Sequence, residues 1–333
     1  MTDNRTGIDR RSLFRGALGM TVLGAGAVLA GCGAAEKLGV TTEFKTTGPY
    51  GVSELQRIAY GSDESTQYGM LAVPVEDNGE PAREKVPVVV MIHGGSWEDA
   101  SDMSYMTDIG TDLVSYGIAV WSIAYRGTIH PDQRDRGPAR AGWPAAGHDV
   151  AAGVDFVPRL TEHSPVELDG ERVVLLGHSA GGHLATWVAS RSQLEKGQVG
   201  AEPTVEPVGC VSMAGVYDLD SAFREDANDR VGTLMGGAPD EEPERYEEAS
   251  PHELLPIGVP VIACSGGEDE LIPAHQAEDY VAAAKEQGDP AELTVVDDAD
   301  HNAWTVLEHP AWAEARGHVL RLAGLRVRSR EIR

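Results

Sequence analysis

The chain has 333 residues, 41% of them hydrophobic and 24% charged, enough apolar matter for one large α/β domain or two small ones. A formal net charge of −26 with no basic run of any length excludes a nucleic-acid binder that works by phosphate neutralisation. Three cysteines cannot form a disulfide framework, and of the 27 basic residues only five are lysine. Such a surface suits a high-salt setting, where screening relieves self-repulsion.

In chain order, the first 31 residues are expected to be an export signal. Arg10-Arg11 precede Ser12, Leu13 and Phe14, and an apolar Gly/Ala-rich stretch runs from Ala17 to Ala30. That stretch is too short for a secure membrane span. The paired arginines resemble a twin-arginine signal, and Leu29-Ala30-Gly31-Cys32 resembles a lipobox. The resemblance implies cleavage before Cys32, a lipid on that cysteine, residues 32–52 as a tether, and a body on the outer face of the cytoplasmic membrane.

The remainder, 53–325, reads as a single domain. Strands are expected at 54–61, 67–74, 86–95, 118–126, 173–176, 208–215, 260–267 and 292–298. Helices are expected at 102–117 (ended by Gly117), 145–160, 183–190, about 273–287 and about 304–323. Segments 76–85 and 127–144 are polar loops, and about 216–256 is an acidic excursion with too few apolar residues for a core of its own. Short apolar strands alternating with helices predict an α/β fold, a mostly parallel central sheet with helices on both faces. Ligands on such sheets gather beyond the strand C-termini.

One such terminus reads VVLLGHSAGGHLATWVAS, residues 173–190. A buried strand must turn at once into a helix, and Gly177 and Gly181 clear the bend. The bend presents Ser179 above the sheet edge with a helix N-terminus behind it, as G-x-S-x-G nucleophiles are held. The plainer alternative is a glycine-rich turn with an incidental serine. A second strand runs into His93-Gly94-Gly95-Ser96-Trp97, where two glycines leave backbone N–H groups open to a ligand. Beside a nucleophile those groups suit an oxyanion, with the N–H of Ala180 as a further donor. Of the eleven histidines, His301 follows a strand onto a loop at the same edge, whereas His309 and His318 read as solvated. Asp269, flanked by Glu268 and Glu270, follows the preceding strand. The order Ser179, Asp269, His301 is the hydrolase order.

The HGGSW, GHSAGG, GEDELIP and DADHNAW segments together resemble the α/β-hydrolase superfamily, in particular its small carboxylesterase and arylformamidase-like group, over roughly 52–325. The resemblance implies that Gly95 and Ser96 supply oxyanion N–H groups, while His93 and Gly94 support the loop. Ser96 stands where such esterases carry another glycine. Tyr125-Arg126 and SMAGVYDL (212–219) resemble structural segments of the same group.

The expected function is a serine hydrolase that cleaves short-chain or aromatic carboxylic esters through an acyl-enzyme, with no metal or organic cofactor. Alternatives are an arylformamidase-like amide hydrolase, a feruloyl or acetyl polysaccharide esterase, and a noncatalytic surface-tethered binding protein. Trp97, Trp143 and Tyr217 are candidate pocket walls. Leu234–Gly237 and Tyr246–His252 are expected to lie over the site. Cys210 and Cys264 read as small buried hydrophobes.

Overall fold

A computed structural model of the chain describes residues 40–41, 44–76, 79, 85–99, 101–128 and 142–325. The expected export signal, Cys32, the first part of the tether and most of the 127–144 loop lie outside the described residues. The strands are β1 (Val40–Thr41), β2 (Gly51–Ser53), β3 (Gln56–Ala59), β4 (Tyr68–Ala72), β5 (Pro74–Val75), β6 (Lys85–Ile92), β7 (Ala119–Ile123), β8 (Glu167–His178), β9 (Gly209–Met213), β10 (Val261–Gly266) and β11 (Ala291–Val296). The α-helices are α1 (Thr107–Ser115), α2 (Ala145–Asp155), α3 (Ala180–Ala189), α4 (Leu219–Glu225), α5 (Arg230–Met235), α6 (Pro243–Ala249), α7 (His275–Glu286) and α8 (Pro310–Leu322).

Eight strands form the central sheet in the order β11-β10-β9-β8-β6-β7-β4-β3. Pairing is parallel from β11 through β7, and antiparallel where β4 joins β7 and β3 joins β4. The fold is the α/β-hydrolase architecture. Its central strands read as unbroken apolar runs because both faces are covered. Alternation then assigns each residue to a side. Val88, Val90, Ile92, Val173 and Leu175 pack with Val150, Leu184 and Trp187 of α2 and α3. Val89, Met91, Val174 and Leu176 pack with Ile109, Leu113, Trp312 and Val319 of α1 and α8. Cys210 and Cys264, on adjacent strands, are fully buried free thiols.

The structure departs from the sequence reading at two ends. The last helix begins later than 304. A 3₁₀ turn spans Ala303–Thr305, and α8 starts at Pro310, where the His309 ring accepts the Ala311 N–H. Proline is well placed there, because its fixed φ suits the first helical turn and its missing N–H costs nothing. The last part of the expected tether packs on the body. Gly48 N–H donates to Ser115 Oγ, and β2 pairs with β1 and β5.

Asp112 holds this N-terminal segment. Its buried carboxylate accepts Thr47 N–H (2.9 Å) and Oγ1 (2.8 Å), Trp312 Nε1 (2.9 Å) and Arg316 Nη1 (2.7 Å). Removing it strands a buried indole N–H and a mostly buried guanidinium. Asp112→Ala is expected to lower stability by about 3–5 kcal/mol, read from urea midpoints. An unchanged midpoint would show that the cluster is not under load.

Candidate active site

The turn from β8 into α3 is a single residue. Ser179 has φ +57° and ψ −123°, a strained combination for a side chain with a Cβ. Its N–H donates to the Met213 carbonyl (2.8 Å), and its carbonyl accepts the His183 N–H (3.1 Å), which pins the turn between β9 and α3. The following turn of α3 lies against the end of β6. A Cβ on Gly181 would sit 2.1 Å from the Ile92 carbonyl oxygen, so no side chain fits. Gly94 is held as closely from the other side. A Cβ there would lie 2.5 Å from the His178 carbonyl oxygen and 2.9 Å from Ser179 Cβ.

Past Gly94 the chain enters a left-handed run, with φ +104° at Gly95 and +56° at both Ser96 and Trp97. A positive φ is unfavourable for a residue with a Cβ, so Ser96 and Trp97 carry backbone strain there. Among the described residues, the N–H groups of Gly95, Ser96 and Ala180 donate to no protein acceptor. His93 braces the loop. Its Nδ1 donates to the Gly94 carbonyl (2.8 Å), its ring stacks on Tyr125, and Tyr125 Oη donates to the His93 carbonyl (2.9 Å). Trp97 Nε1 donates to His183 Nδ1 (3.1 Å), and His183 Nε2 donates to the Ala249 carbonyl (2.9 Å).

His301 and Asp269 meet on the loops that follow β11 and β10. His301 Nδ1 lies 2.9 Å from Asp269 Oδ2. Asp269 Oδ1 accepts the N–H groups of Leu271 and Ile272, each at 2.9 Å. Burial works against this carboxylate's charge. The His301 hydrogen bond and the two backbone donors outweigh it and hold Asp269 below the ordinary carboxylate range. Glu268 and Glu270 are exposed and make no such contact. The Ser179 hydroxyl makes no hydrogen bond to His301 among the described residues. Burial pushes His93, His178 and His183 down to about 4, so these three rings are neutral at pH 7.

A cavity of about 250 Å³ opens over Ser179. Ser96, Trp97 and Ala180 also line it, with Val216, residues 222, 225–228, 230 and 231, and the 270–273 loop. Trp97 lines this cavity. Trp143 and Tyr217 do not line it. Trp143 is buried edge-on against Trp187 with its Nε1 on Glu248, and fully buried Tyr217 stacks on Tyr280. Leu234–Gly237 and Tyr246–His252 do not cover the site either. Leu234, Met235, Tyr246 and Ala249 turn inward and pack in the core on the sheet's helices. The polar stretch from Glu225 to Arg230 is left as the rim. The sequence reading also missed Tyr105, whose Oη accepts the Gly94 N–H at 2.7 Å. Only a polar-tipped aromatic just ahead of α1 marked it. No cluster of three or more metal-ligating side chains occurs among the described residues.

A match to the family described as BD-FAE covers residues 78–283, more than half of the chain. The acylamino-acid-releasing enzyme of Mus musculus is 27% identical over 252 residues, which are 72% of this chain and 32% of that protein. A kynurenine formamidase-like hydrolase of Fusarium equiseti is 26% identical over 147 residues, 39% of this chain and 45% of that one. The chain thus spans less than half of the length of these curated relatives. Esterase B of Lactobacillus rhamnosis superposes with a TM-score of 0.67 at 19% identity, covering 85% of this chain and 89% of that one.

The depressed carboxylate has a stability consequence. A group whose folded pKa is lowered contributes stability above its unfolded value, near 4, and loses it as pH falls through the folded value. Asp269→Asn is therefore expected to be less stable than the parent at pH 7, with the gap closing below pH about 4. Urea midpoints at several pH values test this. A gap that does not narrow in acid would mean that the carboxylate's charge is not held by these partners.

Proposed function

The chain belongs to the BD-FAE family, and we propose that it is a serine hydrolase acting on carboxylic esters with short or single-ring aromatic acyl groups. The observation that carries this reading is the backbone of Ser179, held at φ +57° between β8 and α3 on the floor of the cavity. Such a turn costs free energy and presents a hydroxyl at a helix N-terminus.

In the proposed reaction Ser179 Oγ attacks the acyl carbon while His301 Nε2 takes the hydroxyl proton. Asp269 keeps the Nδ1 proton of His301 in place and offsets the charge of the imidazolium. The N–H groups of Gly95, Ser96 and Ala180 donate to the tetrahedral oxyanion. His301 then gives its proton to the leaving oxygen as the C–O bond breaks. Water repeats the sequence on the acyl-enzyme, which releases the acid and restores Ser179.

A second reading, an aromatic formamide as substrate, is favoured by the kynurenine formamidase-like relative. It uses the same residues with an amine as leaving group. We also propose that residues 1–31 direct export and that Cys32 carries the lipid, so that 53–325 works outside the membrane on a tether that ends where the chain docks on Asp112.

Purified enzyme should hydrolyse p-nitrophenyl acetate or butyrate, methyl ferulate or an N-formyl anilide. Ser179→Ala and His301→Ala should each lower kcat/KM by roughly 10⁴-fold or more without loss of cooperative melting. Full turnover in clean Ser179→Ala protein, or no turnover of any of these by the parent, would remove the reading and leave a binding protein. Intact-mass analysis of membrane-extracted protein should give a chain starting at Cys32 and heavier than its sequence by a lipid. A chain starting at Met1, or a soluble form cut elsewhere, would refute the anchor.

A further inference from the structure

Four groups form a hydrogen-bonded line across the top of the sheet, and their proton positions are fixed by chemistry. Gly94 N–H can only donate, and it donates to Tyr105 Oη at 2.7 Å. The His301 carbonyl can only accept, and it takes a bond from His178 Nε2 at 2.8 Å. His178 therefore carries its proton on Nε2, and its bare Nδ1 must accept the Tyr105 hydroxyl proton, 3.0 Å away. Burial raises Tyr105 to about 12 and keeps that proton on the phenol at neutral pH. Burial, then repulsion from His301, depresses His178 and keeps its Nδ1 free to accept.

The line starts on the loop that bears the open N–H groups of Gly95 and Ser96. It passes through the residue directly before Ser179, and it ends on the backbone of His301. The His178 and His301 rings are 4.9 Å apart, and the Tyr105 ring meets His178 edge-on at 5.7 Å. No other side chain among the described residues bridges these loops in this way.

We propose that Tyr105 and His178 are positioning residues for the hydrolase reaction, setting the distance between the oxyanion donors and the base. The inference rests on the ester-hydrolase reading above. Neither residue touches the reacting atoms. Without the phenol, Gly94 N–H and His178 Nδ1 both lose their partner, the oxyanion loop is freed from the base loop, and the donors drift from where the oxyanion forms. An error of an ångström there weakens catalysis more than binding.

Tyr105→Phe keeps the ring and removes the bond. It is expected to lower kcat on p-nitrophenyl acetate by about 10- to 100-fold while KM stays within about twofold. Amide hydrogen exchange at Gly94, followed by NMR, should quicken in the same variant. The double variant Tyr105→Phe/His178→Asn should be little worse than the poorer single one, because both cut one line. A folded Tyr105→Phe protein with kcat within about twofold of the parent, or fully additive single effects, would overturn the inference. If Tyr105→Phe fails to melt cooperatively, His178→Asn carries the same comparison. If the parent hydrolyses no ester, the reading beneath fails, and exchange at Gly94 decides alone. Faster exchange in Tyr105→Phe upholds the line, and unchanged exchange removes it.

Discussion

The candidate site depends on how closely two pieces of backbone approach at the C-terminal edge of the sheet: the end of β6, and the turn from β8 into α3. Gly181 and Gly94 meet the opposing chain at distances that exclude a Cβ. That contact puts the left-handed run at Gly95–Trp97 beside Ser179, and with it the open N–H groups. A side chain at either glycine would push the loop from the serine, and the cavity would lose its polar floor. The strain at Ser179 and Ser96 is the cost of this approach, and the apolar layers on both faces of the sheet are what hold it.

Three buried histidines share one design. His93, His178 and His183 are neutral, and each presents ring nitrogens to fixed partners. They act as hydrogen-bonded spacers. Trp97 and His183 tie the Gly94–Trp97 loop to the excursion at Ala249, while Tyr105 and His178 tie it to the loop of His301. His301 differs in reaching the edge with Asp269 behind it, and Asp269 in turn is anchored by two backbone N–H groups. The proposed role of His301 in carrying a proton needs such an arrangement, because its partner must not move when the charge appears.

The central strands were legible because parallel sheets demand unbroken apolar runs, and the turn at Ser179 was legible because G-x-S-x-G between strand and helix has a backbone reason. Asp269 and His301 could be placed by the strands they follow. Other features left no such mark. Tyr105 is marked only by its contacts with Gly94 and His178, residues away from it in sequence. Trp143 and Tyr217 are aromatic residues near the right segments, and only packing shows that their rings face the core. The excursion misled for the same reason. Leu234–Gly237 and Tyr246–His252 drew attention as a lid, yet their apolar residues turn inward, and the polar stretch ahead of them, from Glu225 to Arg230, borders the cavity. The N-terminal tail looked aperiodic because Thr47 and Gly48 dock through backbone and hydroxyl groups instead of an apolar pattern.

The central claim is that Ser179 is a nucleophile made reactive by its surroundings. The direct measurement is peptide mapping by mass spectrometry after treating the intact protein with a fluorophosphonate. The account predicts one phosphonyl adduct, on the peptide bearing Ser179, formed at neutral pH and absent after heat unfolding. An unmodified Ser179 in folded protein, or an adduct on another residue in its place, would contradict it.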